Sequence, residues 1–132
     1  MTVTATVLDE PYQTRFTAGA RAGLADTHEG GVGGAAGMRP HELLEAALAT
    51  CMAMTARMAT EALGLADQRA SVGVRLERCP TSTLIRYRLT VDPRLDDAQR
   101  AAVVARVERS LVIGTLRLPV TADPAIAPPA SA

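Results

Sequence analysis

The pattern of apolar and polar residues predicts three short strands at the start of the chain, followed by a glycine-rich loop. Residues 2–8 and 12–18 alternate β-branched or small residues with polar ones, and a third short run lies near 22–25. Residues 28–39 then contain five glycines and show no hydrophobic periodicity. This composition is typical of a loop that is either mobile or closely packed.

The run 40–64 is predicted to be a helix that is buried on every side. No residue between Glu45 and Arg57 is charged, and small or apolar side chains occupy all helical faces there. Pro40 suits the first turn, and Gly64 is a natural stop. A single chain of 132 residues can hardly enclose such a helix. We therefore expect a partner subunit to cover it, in an obligate homodimer.

Two further strands and a second helix are predicted downstream. Residues 70–77 and 84–91 both alternate apolar and polar positions, so they should pair as a hairpin across the intervening turn. Asp96 followed by Gln99 has the spacing of a capping box and opens a helix over residues 96–110. Its apolar side is assigned to Ala98, Ala101, Ala102, Val104 and Val107.

The C-terminal part is predicted to hold short elements and a tail. Residues 111–118 favour a helical turn, 119–123 a last short strand, and 123–132 a disordered segment rich in proline and alanine. The order β-β-β-α-β-β-α-β places two helices beside antiparallel strands, which indicates an α+β fold. We expect one domain over residues 1–122.

Charge and cysteine usage limit the classes of function. Lys+Arg and Asp+Glu both number 14, which argues against nucleic-acid binding. The start lacks the pattern of a signal peptide, and the uncharged run 46–56 is too short to span a membrane. Cys51 and Cys79 form no metal-binding pattern with His28 and His41. We expect a cytoplasmic, reduced protein without a metal or cofactor.

Cys51, in the middle of the apolar helix, is the main candidate for chemistry. A free cysteine in such a helix is usually a small core residue, and apolar surroundings keep a thiol unreactive. Cys51 also lies too far from the helix start for the helix dipole to act on it. An arginine or histidine from elsewhere would have to activate it. Both interpretations, core residue and activated thiol, stay open from the residues alone.

The other nucleophile arrangements are weaker. Cys79 precedes Pro80 in the predicted turn, where we expect it to be exposed and incidental, and a Cys51–Cys79 disulfide cannot be inferred without geometry. A hydrolase using Cys51 with His41 is disfavoured, because ten residues of helix separate them by about 15 Å.

Residues 40–58, PHELLEAALATCMAMTARM, resemble the motif P-x-E-L-L-x-A-A-L-x-x-C-x-x-M-T of the OsmC/Ohr family of small dimeric thiol peroxidases. The glycines of residues 30–37 resemble the glycine-rich segment that precedes this helix in the family. Residues 95–100 and 115–120 also fit the pattern. The resemblance extends over about residues 2–122.

This resemblance implies an intertwined homodimer with two central helices and an active site at the interface. It implies reduction of organic hydroperoxides by a thiolate, which becomes a sulfenic acid and then a disulfide with a second cysteine. An external dithiol reduces that disulfide. Carried over by motif, Cys51 is the peroxidatic thiol. Arg15 is assigned as the activating arginine of the N-terminal hairpin, with Arg21 as the alternative.

The chain departs from the family motif at two positions. A glutamate directly follows the helix-starting proline in the peroxidases, whereas His41 stands there and Glu42 follows it. A shift of one residue rotates a helical side chain by about 100°, so His41 is the candidate to take over the hydrogen bond. Ser110 occupies the position of the resolving cysteine, and serine cannot form a disulfide.

Two functions are therefore expected. The first is a thiol-dependent peroxidase that acts on small organic hydroperoxides through Cys51 and depends on an external thiol reductant. The second is a dimeric protein of the same fold that binds an apolar or peroxidic ligand without turnover.

Overall fold

The computed structural model describes residues 2–65 and 69–128, and its first unit is a three-stranded antiparallel sheet. Strands β1 (Thr4–Val7), β2 (Thr14–Ala18) and β3 (Arg21–Ala25) lie in the order β1-β2-β3. The three strands expected at the start of the chain are confirmed.

The glycine-rich segment is not an irregular loop throughout, as the sequence had suggested. It contains a small hairpin of β4 (His28–Glu29) and β5 (Val32–Gly33). Gly30 and Gly31 connect the strands with φ of 56° and 78°. Two consecutive positive φ values suit the tight hairpin turns that Gly-Gly favours, so a sequence signal for this turn was present.

The rest of the segment is held closely against the end of β3. A Cβ atom at Gly37 would lie 2.0 Å from the backbone oxygen of Leu24, so no side chain fits there. Asp26 is buried, and its carboxylate accepts hydrogen bonds from the backbone N–H of Thr27 at 2.8 Å and of Ala36 at 3.0 Å. Of the two expectations for this loop, close packing is the one that the structure supports.

Helix α1 (Pro40–Ala62) begins and ends close to the predicted positions, but one chain covers one side of it. The buried side is a stripe at helical spacing: Leu48, Met52, Ala56, Ala59 and Thr60. On other sides Met54 is 61% and Met58 53% exposed. The prediction of burial on every side is therefore not met within a single chain, because no other element in the described ranges covers these methionines. The homodimer that would cover them stays a prediction.

Strands β6 (Ser71–Arg78) and β7 (Thr83–Thr90) form the predicted hairpin. Its apolar positions alternate with charged ones and pack against the core. The pairs on this face are Val72 with Leu89, Val74 with Tyr87, and Leu76 with Ile85. Glu45 of α1 accepts a hydrogen bond of 2.9 Å from the N–H of Leu76, which fixes the position of β6 along the helix.

Helix α2 (Asp97–Val107) starts at the predicted capping box, but its buried side differs from the prediction. Gln99 N–H donates to the Asp96 carboxylate at 2.7 Å, and Asp96 N–H donates to the Gln99 side chain at 2.9 Å. The helix buries Val103 and Val107, whereas Val104 is 41% exposed. The three alanines assigned to the apolar side, at 98, 101 and 102, are exposed. Alanine is small and frequent in helices, so it marks a buried face poorly.

The chain ends without the expected last strand. Helix α3 (Leu111–Arg117) confirms the helical turn, but residues 119–123 pair with no strand among the described residues. Pro119 lacks an N–H for a ladder, and Val120 is 77% exposed, so this segment gains neither pairing nor burial. The predicted disordered tail lies partly outside the described residues, at 129–132, and the domain boundary stays a prediction.

The core of the chain lies between α1, the β6–β7 hairpin and the α2–α3 pair. It consists of the residues Leu48, Met52, Ala56, Ala59, Leu95, Val103, Val107 and Ile113. No helix in the described part of the chain has both the length and the apolarity needed to cross a membrane.

Candidate functional site

Cys51 lies at the edge of the buried stripe of α1 and is neither sealed in the core nor fully exposed. Its helical neighbours Leu48 and Met52 are completely buried, whereas Cys51 is half-buried. The hydroxyl of Thr55 donates a hydrogen bond of 2.8 Å to the backbone oxygen of Cys51, not to its sulfur. The thiol therefore belongs to the boundary between the core and the open side of the helix.

A cavity of about 540 Å³ opens at this boundary between α1 and the junction of α2 with α3. We call it the thiol cavity. It is lined by Cys51, Met54, Thr55, Met58, Arg106, Arg109, Ser110 and Leu111. Its apolar wall comes from the two methionines and Leu111, which are all strongly exposed at its rim. The lining contains two cations and no carboxylate.

Ser110 joins α2 to α3, lines the thiol cavity and has an unsatisfied hydroxyl. The residue is 4% exposed, and its Oγ is the buried side-chain polar atom of the described residues that has no hydrogen-bond partner. It occupies the N-cap position of α3, yet its side chain makes no capping hydrogen bond. An unpaired buried hydroxyl costs about 1–3 kcal/mol, so it requires a physical explanation.

Arg106 and Arg109 supply the positive charge of the thiol cavity. Arg106 lies in the last turn of α2 and Arg109 just beyond its end, and both are exposed. Within residues 2–65 and 69–128, neither guanidinium has an ion pair or a hydrogen bond to another side chain. Arg100, near the start of the same helix, is instead paired with Asp97. The two cavity arginines are thus available to an anionic partner from solution.

A hydrogen-bonded network fixes the α2–α3 junction that carries Ser110. The Tyr87 hydroxyl donates a short hydrogen bond to the Glu108 carboxylate. Arg117 closes α3 back onto α2, because its guanidinium donates at 2.8 Å to both the backbone oxygen and the carboxylate of Glu108. Burial and the hydrogen bond to Glu108 raise the pKa of Tyr87 to about 12. Hydrogen bonds from Tyr87 and Arg117 hold the pKa of Glu108 below its usual value.

This network predicts an alkaline stability loss that depends on Tyr87. A tyrosine in the unfolded chain has a pKa of about 10. Because the pKa of Tyr87 is raised in the folded state, its stabilising contribution is fully present below about pH 10. The contribution is lost as pH rises from about 10 towards 12. Urea unfolding should show that the free energy of unfolding of the unmutated protein falls more steeply over this pH range than that of Tyr87→Phe. Tyrosinate absorbance of Tyr12→Phe, which leaves Tyr87 as the single tyrosine, should titrate near 12. Titration near the ordinary value would contradict the network.

Arg15 and Arg21, the candidate activating arginines, do not line the thiol cavity of their own chain. In the sheet, Arg15 of β2 lies opposite Thr6 of β1 and Leu24 of β3, and its side chain is exposed. The neighbouring positions of β2, Thr14 and Phe16, line a different cavity, so Arg15 belongs to the opposite face of the sheet. Arg21 lies opposite Ala18 in the register of β2 and β3. It therefore belongs to the sheet face that lines that other cavity. Neither residue is brought to Cys51 within one chain.

His41 and Glu42 lie in the first turn of α1 and are likewise absent from the lining of the thiol cavity. Glu42 accepts a hydrogen bond of 2.8 Å from the backbone N–H of Arg39, so it caps the helix. His41 is exposed. Cys79 is exposed in the β6–β7 turn, where its N–H donates to the Ser82 oxygen, and both cysteines are free. The predicted exposure of Cys79 is confirmed.

A second and larger cavity, of about 760 Å³, lies between the N-terminal sheet and the start of α1. We call it the hairpin cavity. Its lining is almost entirely apolar and includes Val7, Phe16, Leu43 and Ala47. Asp26 also lines it, but its carboxylate is engaged with the glycine-rich loop. No group of three or more His, Cys, Asp or Glu among the described residues could hold a metal ion.

Sequence reasoning found Cys51 and the position of Ser110, but it missed Arg106 and Arg109. Two exposed arginines near a helix end are common on protein surfaces, so their residue types carry no signal. The packing of α2 against α1 places them in the lining of the cavity that Cys51 also lines. Their spacing of three residues at the end of α2 is the feature that could have drawn attention to them.

Comparison with known proteins agrees with this architecture. The family model of OsmC-like proteins matches residues 32–123. No curated protein matches the chain significantly. Among solved structures, a protein of Psychrobacter arcticus 273-4, named for osmotic stress induction and a detoxification response, superimposes with a TM-score of 0.68. It is 18% identical, and the match covers 87% of each chain.

Two more solved structures share the fold. An organic hydroperoxide resistance protein OsmC of Legionella pneumophila, also described as a redox protein and regulator of sulfide bond formation, has a TM-score of 0.60. It is 17% identical over 88% of each chain. A protein of Lactobacillus casei ATCC 334, assigned as a redox protein, has a TM-score of 0.59 and is 20% identical. That match covers 89% of this chain and 83% of the other. At these identities the likeness establishes the fold.

Proposed function

This chain belongs to the OsmC-like protein family, and from that premise we propose that it is a thiol-dependent peroxidase that reduces organic hydroperoxides through Cys51. The name of the Legionella pneumophila protein, an organic hydroperoxide resistance protein of the same fold, supports the substrate class. The reaction would proceed without the usual resolving cysteine, because Ser110 stands in its place.

One observation carries the proposal: Cys51 opens into a cavity that holds two arginines and no carboxylate. Reactive cysteines occur in electropositive, partly exposed surroundings, whereas structural cysteines are sealed in apolar ones. The position of Cys51 at the edge of the core satisfies the first description. Met54, Met58 and Leu111 offer an apolar wall for the alkyl part of a hydroperoxide.

The proposed chemistry is a two-electron oxidation of the thiolate. The Cys51 sulfur attacks one peroxide oxygen, so an S–O bond forms as the O–O bond breaks. The leaving alkoxide takes a proton and becomes an alcohol, and Cys51 becomes a sulfenic acid. Two electrons from an external thiol reductant must then return Cys51 to the thiol.

The remaining assignments belong to the same proposal. Arg15, with Arg21 as the alternative, is the activating arginine, and His41 and Glu42 are the residues that would orient it. The homodimer is the assembly that would bring a hairpin arginine to Cys51. The cytoplasm, where cysteines stay reduced, is the proposed location, and the two free cysteines are compatible with it.

Trapping of the sulfenic acid tests the proposal. In Cys79→Ser, brief exposure to equimolar cumene hydroperoxide with dimedone present should add one dimedone to Cys51, as read by intact mass. The matched control Cys51→Ser, which keeps Cys79, should stay unlabelled. Cumene hydroperoxide should react faster than hydrogen peroxide because of the apolar wall. No label on Cys51, together with slow alkylation in the native state, would refute the peroxidase.

The hairpin cavity favours a second candidate function, a non-catalytic dimeric protein that binds an apolar ligand. The cavity is larger than the thiol cavity, is almost wholly apolar and lies away from Cys51. In that case cumene hydroperoxide would leave Cys51 unmodified. The ligand would instead protect the protein from thermal unfolding, equally in the wild type and in Cys51→Ser.

A further inference from the structure

We propose that the thiol cavity binds a small monothiol that carries a carboxylate, and that this compound is the external reductant of Cys51. The inference rests on the proposed peroxidase function, which requires an external thiol but does not identify it. Two features of the cavity are unused by the reaction with the hydroperoxide: the unpaired Arg106 and Arg109, and the unsatisfied hydroxyl of Ser110.

The position of Cys51 limits what can reach it. Cys79 does not line the thiol cavity and Ser110 supplies no sulfur, so one chain offers no second thiol there, and the proposal takes that thiol from solution. Cys51 is half-buried, and the cavity volume of about 540 Å³ suits a molecule the size of an amino acid or a short peptide. A thiol on such a molecule can reach the sulfur without any change in the fold of α1.

The charge of the cavity identifies the second group on that molecule. Arg106 lies in the last turn of α2 and Arg109 two residues beyond its end, and neither has an acidic partner among the described side chains. Arginine binds carboxylates through paired hydrogen bonds. Ser110 lines the same cavity and its buried hydroxyl is otherwise unpaired, so a turn of its side chain towards the cavity would let it donate to a bound carboxylate. A neutral or cationic thiol would leave all three groups without a partner.

The proposed cycle balances in atoms and electrons. The sulfur of the first monothiol attacks the sulfur of the Cys51 sulfenic acid, an S–S bond forms, and the S–O bond breaks to release water. A second monothiol attacks the outer sulfur of this mixed disulfide and releases Cys51 as a thiol. Overall, one hydroperoxide is reduced to an alcohol and water, and two monothiols are oxidised to one disulfide.

Disulfide exchange without peroxide tests the recognition step. Reduced Cys79→Ser is mixed with 3,3′-dithiodipropionate, bis(2-hydroxyethyl) disulfide or cystamine, which carry negative, no and positive charge. The rate of mixed-disulfide formation at Cys51 is read by intact mass and divided by the rate of the same disulfide with a small thiol. We expect the normalised rate of the anionic compound to exceed that of the neutral one by about 10-fold. Cystamine should react more slowly than the neutral compound.

The variants separate recognition from thiol reactivity, because the ratio of anionic to neutral rates cancels changes in Cys51 itself. Arg106→Gln combined with Arg109→Gln should bring the ratio to about 1, and Ser110→Ala should lower it about 3-fold. Arg100→Gln, on the same helix but outside the cavity, should leave it unchanged. The ratio in the unmutated cavity should fall with added salt.

Two outcomes would overturn this inference: a ratio near 1 with intact arginines, or a ratio that survives in the double arginine variant. Because this assay contains no peroxide, its failure is distinct from failure of the peroxidase. Sulfenic acid trapping at Cys51 without a charge preference would refute the reductant alone. A charge preference without trapping would support the anionic thiol site and refute the peroxidase.

Discussion

Replacing Val103 by alanine is expected to lower the free energy of unfolding by about 2 kcal/mol, whereas the same replacement at Val104 should change it by less than about 0.5 kcal/mol. Val103 is completely buried, and Val104 is 41% exposed. Removing two buried methyl groups forfeits about 0.8 kcal/mol each, and the cavity left behind adds to the loss. The better helix propensity of alanine offsets part of it and acts equally at both positions.

Urea unfolding of the two variants provides the comparison, since the residue type, the helix and the substitution are the same. The measurement also tests which side of α2 faces the core. A loss at Val104 as large as that at Val103 would show that another subunit covers the exposed side. Its dependence on protein concentration would then reveal the dimer, because dissociation is coupled to unfolding in an obligate assembly.

This pair of valines also shows where sequence reasoning reached its limit in the fold. The hairpin of β6 and β7 was predictable because large β-branched and aromatic residues alternate there with charged ones. In α2, alanines surround the valines on most sides, so the periodicity did not identify the buried face. Val103 and Val107 face the core because α2 packs against α1, and that contact is not encoded in the spacing of α2 alone.

Helix α1 illustrates the opposite difficulty. Its position, its proline start and its end near Gly64 followed from local signals. Its burial did not, because an apolar sequence on every face does not say which face is covered within the chain and which faces something else. The structure assigns Met52 to the core and leaves Met54 exposed. The remaining apolar surface is the physical reason to expect a partner, and it does not identify that partner.

The sequence motif of the candidate site could be predicted, but the residues that surround the thiol in the fold could not. The spacing around Cys51 made its thiol the candidate, and Ser110, expected at the resolving position, lines the same cavity. Arg15 was expected at the thiol from the family resemblance alone, and the structure of one chain leaves it on another surface. Arg106 and Arg109 line the same cavity as Cys51 through tertiary packing, which neither composition nor periodicity reports.

Ser110→Cys is expected to convert the proposed cycle from an external to an internal resolution step. Both residues line the thiol cavity, and the Glu108 network holds the junction that carries position 110. A thiol at that position would attack the Cys51 sulfenic acid within the same molecule. Intramolecular reactions of well-placed groups have effective concentrations far above those of free thiols, reaching about 10⁵–10⁸ M in well-oriented cases.

In Cys79→Ser with Ser110→Cys, one equivalent of cumene hydroperoxide should therefore give a loss of two mass units, the signature of an internal disulfide. Dimedone and external monothiols should fail to compete with it. The matched control places the new cysteine at Thr115 instead, a position on α3 outside the thiol cavity, where the sulfenic acid should still be trapped. If Ser110→Cys is trapped as readily as that control, the cavity does not bring position 110 within reach of the oxidised sulfur. Ser110 would then be a lining residue with no relation to the resolving step.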